Sequence, residues 1–135
     1  MQKEIKQTWH FDQSPEEVWA YLTQPELLEQ WLMQTDFQPT VGHKFRFITP
    51  SGKIIHCQVL EVTPFTKLSY SWQANSASGT TFDTRVEWTA LPKNNGTELQ
   101  LVHTSFSVLE DYIGHNDGWT RFGNGFVQLL NPVAQ

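Results

Sequence analysis

The chain has a single cysteine, Cys57, and no run of lysine or arginine residues. One cysteine cannot form an internal disulfide, which excludes the small disulfide-stapled folds and indicates a reducing compartment. The formal net charge is −5, and without a basic run there is no electrostatic footprint for nucleic acid or for an anionic membrane surface. We therefore expect a protein that binds neither nucleic acid nor membranes.

Long hydrophobic stretches are missing as well. No segment approaches the ~18 apolar residues of a membrane span, and the polar segment from Met1 to Ile5 lacks the apolar stretch of a signal peptide. We expect a cytoplasmic protein. A length of 135 residues predicts a single domain, residues 1–135, which is large enough to bury a core without disulfides.

Motifs for the common kinds of catalysis are also absent. The sequence contains no Gly-x-Ser-x-Gly nucleophile elbow and no phosphate-binding glycine loop. Its five histidines show no His-Glu-x-x-His spacing, and the single cysteine cannot supply a pair of thiolate ligands. The pattern therefore predicts neither a metal site nor a cofactor. The isolated Cys57 is expected to be a small buried residue.

Large aromatic rings, in contrast, are abundant, with 6 Trp and 9 Phe. Rings of this size bury a large apolar area each and often line ligand cavities. The excess of rings in a chain of this length favours an internal cavity.

Two short helices are predicted after the first strand, over residues 15–23 and 25–33. Ser14 can cap the first helix, Pro15 suits its first position, and Glu17 can close a capping box. A proline opens the second helix in the same way. Each helix is too short to be stable alone, so both must pack on a larger element.

Alternating apolar and polar residues predict an antiparallel sheet. Residues 3–11 form a half-buried first strand, and from about residue 43 roughly six further runs are separated by turn signals such as Asn95-Gly96. The segment from Gln73 to Gly79 is small and polar, and it is expected to be a mobile loop. The segment from Ile54 to Cys57 is apolar on both parities, which leaves its facing open.

A final amphipathic helix is predicted where the period changes. Trp119, Phe122, Phe126 and Leu130 fall on one helical face at i, i+3, i+7 and i+11. Glycines interrupt this helix, and either close approach to the sheet or room for a bound molecule would explain them. The order of elements predicts an α+β fold with a curved antiparallel sheet of about six to seven strands around this long C-terminal helix.

Several segments, in their order and spacing, are also characteristic of one family. They cover nearly the whole chain and are Ser14–Trp19, Pro25–Trp31, Val41-Gly42, Val59–Pro64, Leu68–Trp72, Gly96–His103 and Gly118-Trp119. In these segments the chain resembles the AHSA family, bacterial single-domain relatives of the activator of the heat-shock chaperone ATPase. The resemblance implies the START-like (SRPBCC) helix-grip fold, which the birch pollen allergen and polyketide cyclases share.

The same resemblance implies a cavity between the long helix and the sheet, often suited to a hydrophobic ligand. It implies no catalytic residue, because the family has no shared catalytic set, and fold membership alone does not establish a function.

The candidate cavity residues lie on the apolar faces of the predicted strands and helices. They are Trp31, Phe45, Phe47, Tyr70, Trp72, Val86, Trp88, Leu101, His103, Trp119, Phe122 and Phe126. A filled core is the alternative for each ring. His103 is the best polar candidate, either as a core histidine bonded to a carbonyl or hydroxyl, or as a ligand-orienting donor or general base.

Three functions stay open on the sequence alone. The ring-rich faces favour a module that binds a small hydrophobic or aromatic molecule. A cofactor-free enzyme of the cyclase, aromatase or hydrolase type would use His103 and Tyr70 as acid–base groups, although no such pair is visible in the sequence. A chaperone-interacting or stress-response module follows from the resemblance, and a homodimer is compatible with the sequence.

Overall fold

The computed structural model describes residues 3–75 and 81–132. Along the chain the elements are β1 (Lys3–Phe11), α1 (Pro15–Thr23), α2 (Pro25–Trp31), β2 (Gln34–Thr35), β3 (Lys44–Ile48), β4 (Ile54–Thr63), β5 (Lys67–Asn75), β6 (Thr81–Lys93), β7 (Gly96–Phe106) and α3 (Leu109–Leu130).

Within the described residues, seven strands form an antiparallel curved sheet in the order β1-β7-β6-β5-β4-β3-β2. Helix α3 packs against β1 and β7, while α1 and α2 pack beside it and contact each other. The predicted α+β helix-grip architecture is confirmed. The Asn95-Gly96 signal marks the tight β6–β7 connection, in which Asn94 and Asn95 adopt positive φ values of 52° and 66°.

The helix starts follow the predicted local chemistry. Ser14 Oγ accepts a hydrogen bond from the Glu17 backbone amide at 3.2 Å, and Pro15 occupies the first turn of α1. Helix α2 ends at Trp31 rather than at residue 33, because Leu32 adopts a non-helical backbone with φ −117° and ψ −91°. Leu32 and Met33 then turn into the core, where both are buried.

The sheet differs from the sequence pattern at two places. Strand β2 has only two residues, Gln34 and Thr35, which is too short for any alternation to reveal. Residues 73–75 of the predicted loop belong to β5, because their pairing with residues 81–83 of β6 extends the ladder past the apolar alternation. The remainder of that loop, residues 76–79, lies outside the described residues.

Cross-strand pairing decides the facing of the ambiguous β4 segment. Ile55 lies opposite Phe47, and Cys57 lies opposite Phe45. Residues that pair directly across two strands share one face of the sheet. Because Phe45 and Phe47 are buried, Ile55 and Cys57 also face the core, and Cys57 is the buried small residue that was expected.

The rings of the core pack on one another, and two of their polar atoms are satisfied internally. Trp31 stacks on Phe126 with centroids 4.3 Å apart, and its Nε1 donates to the Tyr21 carbonyl at 2.9 Å. Trp88 Nε1 donates to Tyr70 Oη at 3.0 Å. The stacking of Trp31 on Phe126 joins α2 to the C-terminal half of α3, and the Trp88–Tyr70 bond joins β6 to β5.

A close approach of α3 to β1 explains one of its glycines. A Cβ atom at Gly123 would collide with the Trp9 ring, so no larger residue fits unless that ring moves. At Gly118 and Gly125, in contrast, an added Cβ would meet no atom within 4 Å. Close packing therefore accounts for Gly123 alone among the three.

Candidate functional site

A cleft of about 360 Å³ opens between the N-terminal half of α3 and the part of the sheet that β4 and β5 form, beside the turn that joins β3 to β4. Its apolar walls come from five parts of the chain and consist of Met33, Pro50, Ile55, Trp72, Trp119 and Phe122. Its polar lining consists of Thr49, Glu110, Asp111, His115 and Arg121, and two glycines of α3, Gly114 and Gly118, complete it.

Three of the twelve predicted cavity residues line this cleft, namely Trp72, Trp119 and Phe122. The other nine lie in the buried core around it, and they are Trp31, Phe45, Phe47, Tyr70, Val86, Trp88, Leu101, His103 and Phe126. Alternation along a strand determines which face a residue occupies, but not whether the helix above that point lies close or leaves a gap. The structure therefore brings only a subset of the predicted residues to the open space.

His103 is fully buried, and both of its ring nitrogens have partners. Trp119 Nε1 donates to His103 Nδ1 at 2.9 Å, while His103 Nε2 lies 2.7 Å from Thr84 Oγ1. An indole N–H can only donate, so Nδ1 is the acceptor and the proton of the neutral ring is on Nε2. Thr84 Oγ1 in turn donates a hydrogen bond to the Trp72 carbonyl oxygen at 2.8 Å.

Burial lowers the pKa of His103 well below its ordinary value, and the neighbouring His115 contributes in the same direction. The ring is therefore neutral near pH 7. This arrangement matches the expectation of a core histidine bonded to a hydroxyl.

Tyr70, the second predicted acid–base candidate, is also buried away from the cleft. Its hydroxyl accepts the hydrogen bond from Trp88, and burial raises its pKa. Tyr70 and His103 are therefore both out of reach of a substrate in the cleft, and the structure does not bring them together as an acid–base pair there.

His115 is the histidine that lines the cleft, and sequence reasoning passed over it. Trp72 Nε1 donates to its Nε2 at 3.3 Å, and its Nδ1 lies 2.9 Å from the Asp111 carbonyl oxygen. A carbonyl can only accept, so Nδ1 carries the proton and Nε2 is the acceptor. Burial lowers the pKa of His115, partly offset by the Asp111 carbonyl and carboxylate, so this ring is also neutral near pH 7.

Helical spacing contains a signal that would have found His115. Asp111, His115 and Trp119 follow one another at intervals of four residues, so they share the inward face of α3. Extending the apolar face of the helix toward its N-terminus from Trp119 leads directly to His115.

Other kinds of site find no support in the described part of the chain. Residues 3–75 and 81–132 contain no group of three or more His, Cys, Asp and Glu residues placed to hold a metal ion. No helix among them is both long enough and apolar enough to cross a membrane. Cys57 is buried, and this burial raises the pKa of its thiol, which disfavours the nucleophilic thiolate.

Comparison with known proteins gives a family and several solved relatives. The family profile of the "Activator of Hsp90 ATPase homolog 1-like protein" (AHSA1) matches residues 12–131. The crystal structure of protein MLL2253 from Mesorhizobium loti superimposes with a TM-score of 0.89 at 32% identity, covering 98% of this chain and 100% of that chain. No curated protein gives a significant match.

Two more distant structures share the fold. DynU16, a protein from the dynemicin biosynthetic locus, has a TM-score of 0.85 at 20% identity, covering 96% of this chain and 47% of that chain. The Aha1 dimer from Colwellia psychrerythraea, solved in solution, has a TM-score of 0.80 at 19% identity, covering 96% of this chain and 97% of that chain. At these identities the likeness shows the fold alone.

The family profile spans most of the sequence, and a relative at 32% identity covers nearly all of it. The segments that resembled the AHSA family, together with the helix-grip architecture, agree with this match. The chain belongs to the AHSA1 family of activator of Hsp90 ATPase homolog 1-like proteins.

Proposed function

We propose that this protein binds a small, largely apolar aromatic molecule in the cleft between α3 and the sheet. The observation that carries the proposal is the convergence of three rings, Trp72, Trp119 and Phe122, on an unfilled volume of about 360 Å³. This volume lies in the range of small-molecule sites, which are usually apolar with a few polar groups for orientation.

The two indoles of the cleft are held in place before any ligand arrives. Both rings are buried with their centroids 5.4 Å apart, and Trp119 also donates to His103 at 2.9 Å. A wall that is already ordered loses little conformational entropy on binding. Its faces suit an aromatic ligand, because rings attract one another in offset and edge-to-face arrangements.

Glycines in α3 support the proposal independently. Gly114 and Gly118 are one helical turn apart and line the cleft, and a Cβ atom at either position would meet no atom within 4 Å. Glycine inside a helix costs about 0.5–1 kcal/mol relative to alanine. Packing does not require glycine at these two positions, and the lack of side chains there leaves the cleft open.

A matched pair of variants on α3 tests the proposal. Gly118→Leu places a side chain in the cleft, whereas Gly125→Leu adds the same side chain at an exposed position of the same helix. With 2-naphthol as the probe and NMR chemical shifts of the tryptophan indole N–H groups as the readout, we expect Gly118→Leu to weaken binding roughly ten-fold or more. Gly125→Leu should bind as the wild type does.

Two results would contradict the proposal. One is the absence of any binding of 2-naphthol to the wild type, and the other is an equal affinity in both leucine variants. Because neither glycine faces a crowded position, both variants should fold, and urea unfolding of each serves as the control.

The family and its relatives bear on partners as well. The origin of DynU16 in a biosynthetic locus is in keeping with a small-molecule partner. A chaperone partner follows from the family name, and a homodimer follows from the Aha1 dimer. Both stay predictions for this chain.

A further inference from the structure

We infer further that the cleft selects an aromatic molecule that carries a hydroxyl group, and that this hydroxyl binds between Trp72 and His115. The inference rests on the proposed function, because it names the chemistry that the same cleft would recognise. It starts from a hydrogen bond whose two partners, Trp72 Nε1 and His115 Nε2, both belong to cleft-lining side chains.

The Trp72–His115 hydrogen bond is long enough to give way to a ligand. Its donor–acceptor distance of 3.3 Å is longer than the 2.9 Å of the other indole–imidazole hydrogen bond, from Trp119 to His103. The neighbouring contact from His115 Nδ1 to the Asp111 carbonyl is 2.9 Å, which is an ordinary length. The ring of His115 is thus anchored at Nδ1, while Nε2 has the weaker partner.

The anchor at Asp111 fixes the chemistry that the cleft offers. Because Nδ1 carries the proton, Nε2 presents a lone pair, while Trp72 Nε1 presents a proton. A group that inserts between them must accept from one and donate to the other. A hydroxyl does both with a single atom, whereas an ammonium group cannot accept and a carboxylate or ether oxygen cannot donate.

The core of the same protein contains another indole–imidazole pair, in which the two rings bond directly. Trp119 and His103 form a second indole–imidazole pair, at 2.9 Å, and the other nitrogen of His103 is bonded to the Thr84 hydroxyl at 2.7 Å. That hydroxyl bridges His103 and the Trp72 carbonyl. The core pair thus combines an indole, an imidazole and a hydroxyl, with the hydroxyl on the far nitrogen of the imidazole, whereas the hydroxyl inferred for the cleft would bond Nε2 of His115.

Two probes that differ by one methyl group test the inference. In 2-methoxynaphthalene the hydroxyl of 2-naphthol is replaced by an ether, which can still accept but cannot donate. Apolar burial alone favours the ether, because it buries one more methyl group. We expect the opposite order, with 2-naphthol binding roughly ten-fold more tightly or better, since only the hydroxyl can donate to His115 Nε2 while it accepts from Trp72 Nε1.

Two measurements test whether the preference for 2-naphthol arises at Trp72 Nε1 and His115 Nε2. In the wild type, the indole N–H signal of Trp72, identified by its loss in Trp72→Phe, should shift further with 2-naphthol than with the ether. In His115→Phe, which keeps a ring but removes Nε2, the two probes should bind within about two-fold of each other. The matched control is His56→Phe, on the exposed face of β4, which should keep the wild-type preference.

Each outcome decides between the two proposals. Equal affinity of the two probes in the wild type overturns the hydroxyl inference and leaves the proposed function standing. Binding of neither probe overturns both. If His115→Phe still prefers 2-naphthol, the assignment of the hydroxyl to His115 is wrong. If His115→Phe does not fold, the wild type decides: a Trp72 indole N–H signal that does not move when 2-naphthol binds overturns the assignment.

Discussion

Two histidines in this protein accept a hydrogen bond from a tryptophan indole, and burial separates their roles. His103 is sealed in the core with both nitrogens engaged, while His115 borders the open cleft. The distinction is invisible in the sequence, where His103 has the more suggestive position on a strand face. The sequence pattern indicates which side of an element a residue occupies, but only the packing above it decides whether solvent reaches that residue.

The free energy of unfolding should decrease as the pH is lowered below about 6.5. Burial holds the pKa of His103 well below its ordinary value in the folded protein, while the unfolded chain takes up a proton near pH 6.5. Below that pH the unfolded state binds more protons, so stability is complete above about pH 6.5 and is lost as the pH falls toward the folded pKa. The loss for this one group is at most about 1.4 kcal/mol per pH unit.

Urea unfolding between about pH 5 and pH 7 measures this slope, in a range where few carboxylates titrate. The wild type should show the full slope, and His103→Gln should show a shallower one. Equal slopes in the two proteins would mean that His103 does not stay neutral in the fold.

Trp119 both packs in the core and lines the cleft, and two substitutions measure how much its packing stabilises the fold. Its ring is buried against Trp72 and Trp88, and its Nε1 supplies the donor to His103. Trp119→Ala should lower the free energy of unfolding by about 3–5 kcal/mol, the usual cost of removing a buried ring. Trp119→Phe should cost less, because it keeps much of the packing and loses mainly the hydrogen bond.

Denaturant unfolding of both variants checks the prediction. If Trp119→Ala lost less than about 1 kcal/mol, the ring would have to be a wall of the cleft with little packing behind it.

At the scale of elements, the glycines of α3 differ in whether a neighbouring side chain packs against them. Gly123 is pressed against the Trp9 ring, whereas Gly125 faces open space. Gly123→Ala should therefore destabilise the protein, because the Trp9 ring or the helix must move. Gly125→Ala should stabilise it by about 0.5–1 kcal/mol, the intrinsic advantage of alanine in a helix.

This pair of alanine variants needs only thermal or urea unfolding, and each serves as the control for the other. Equal effects of the two substitutions would show that α3 does not approach β1 at Gly123.

The elements themselves were largely predictable because each carried a local signal. Alternation in β5, β6 and β7 placed Tyr70, Val86 and Leu101 on a face that proved to be buried. Where local signals were missing, prediction stopped. Strand β2 is too short to alternate, and the facing of the segment around Ile55 depends on its pairing with β3, which no local pattern encodes.

At the scale of the whole molecule, the two halves of α3 do different things. The C-terminal half lies against β1 and the Trp31 ring, where Gly123 and Phe126 pack tightly. Between the N-terminal half and strands β4 and β5 lies the open cleft. The sequence predicted a ring-lined space along the long helix, but the gap depends on the angle between helix and sheet, which is a property of the assembled fold.

Intermolecular nuclear Overhauser effects between 2-naphthol and the isotope-labelled protein test the central claim most directly. The account predicts contacts from the protons of the naphthalene ring to Trp72, Trp119 and Phe122, the three rings that converge on the cleft. Contacts confined to residues outside the cleft, or no contacts at a saturating concentration of the probe, would contradict it.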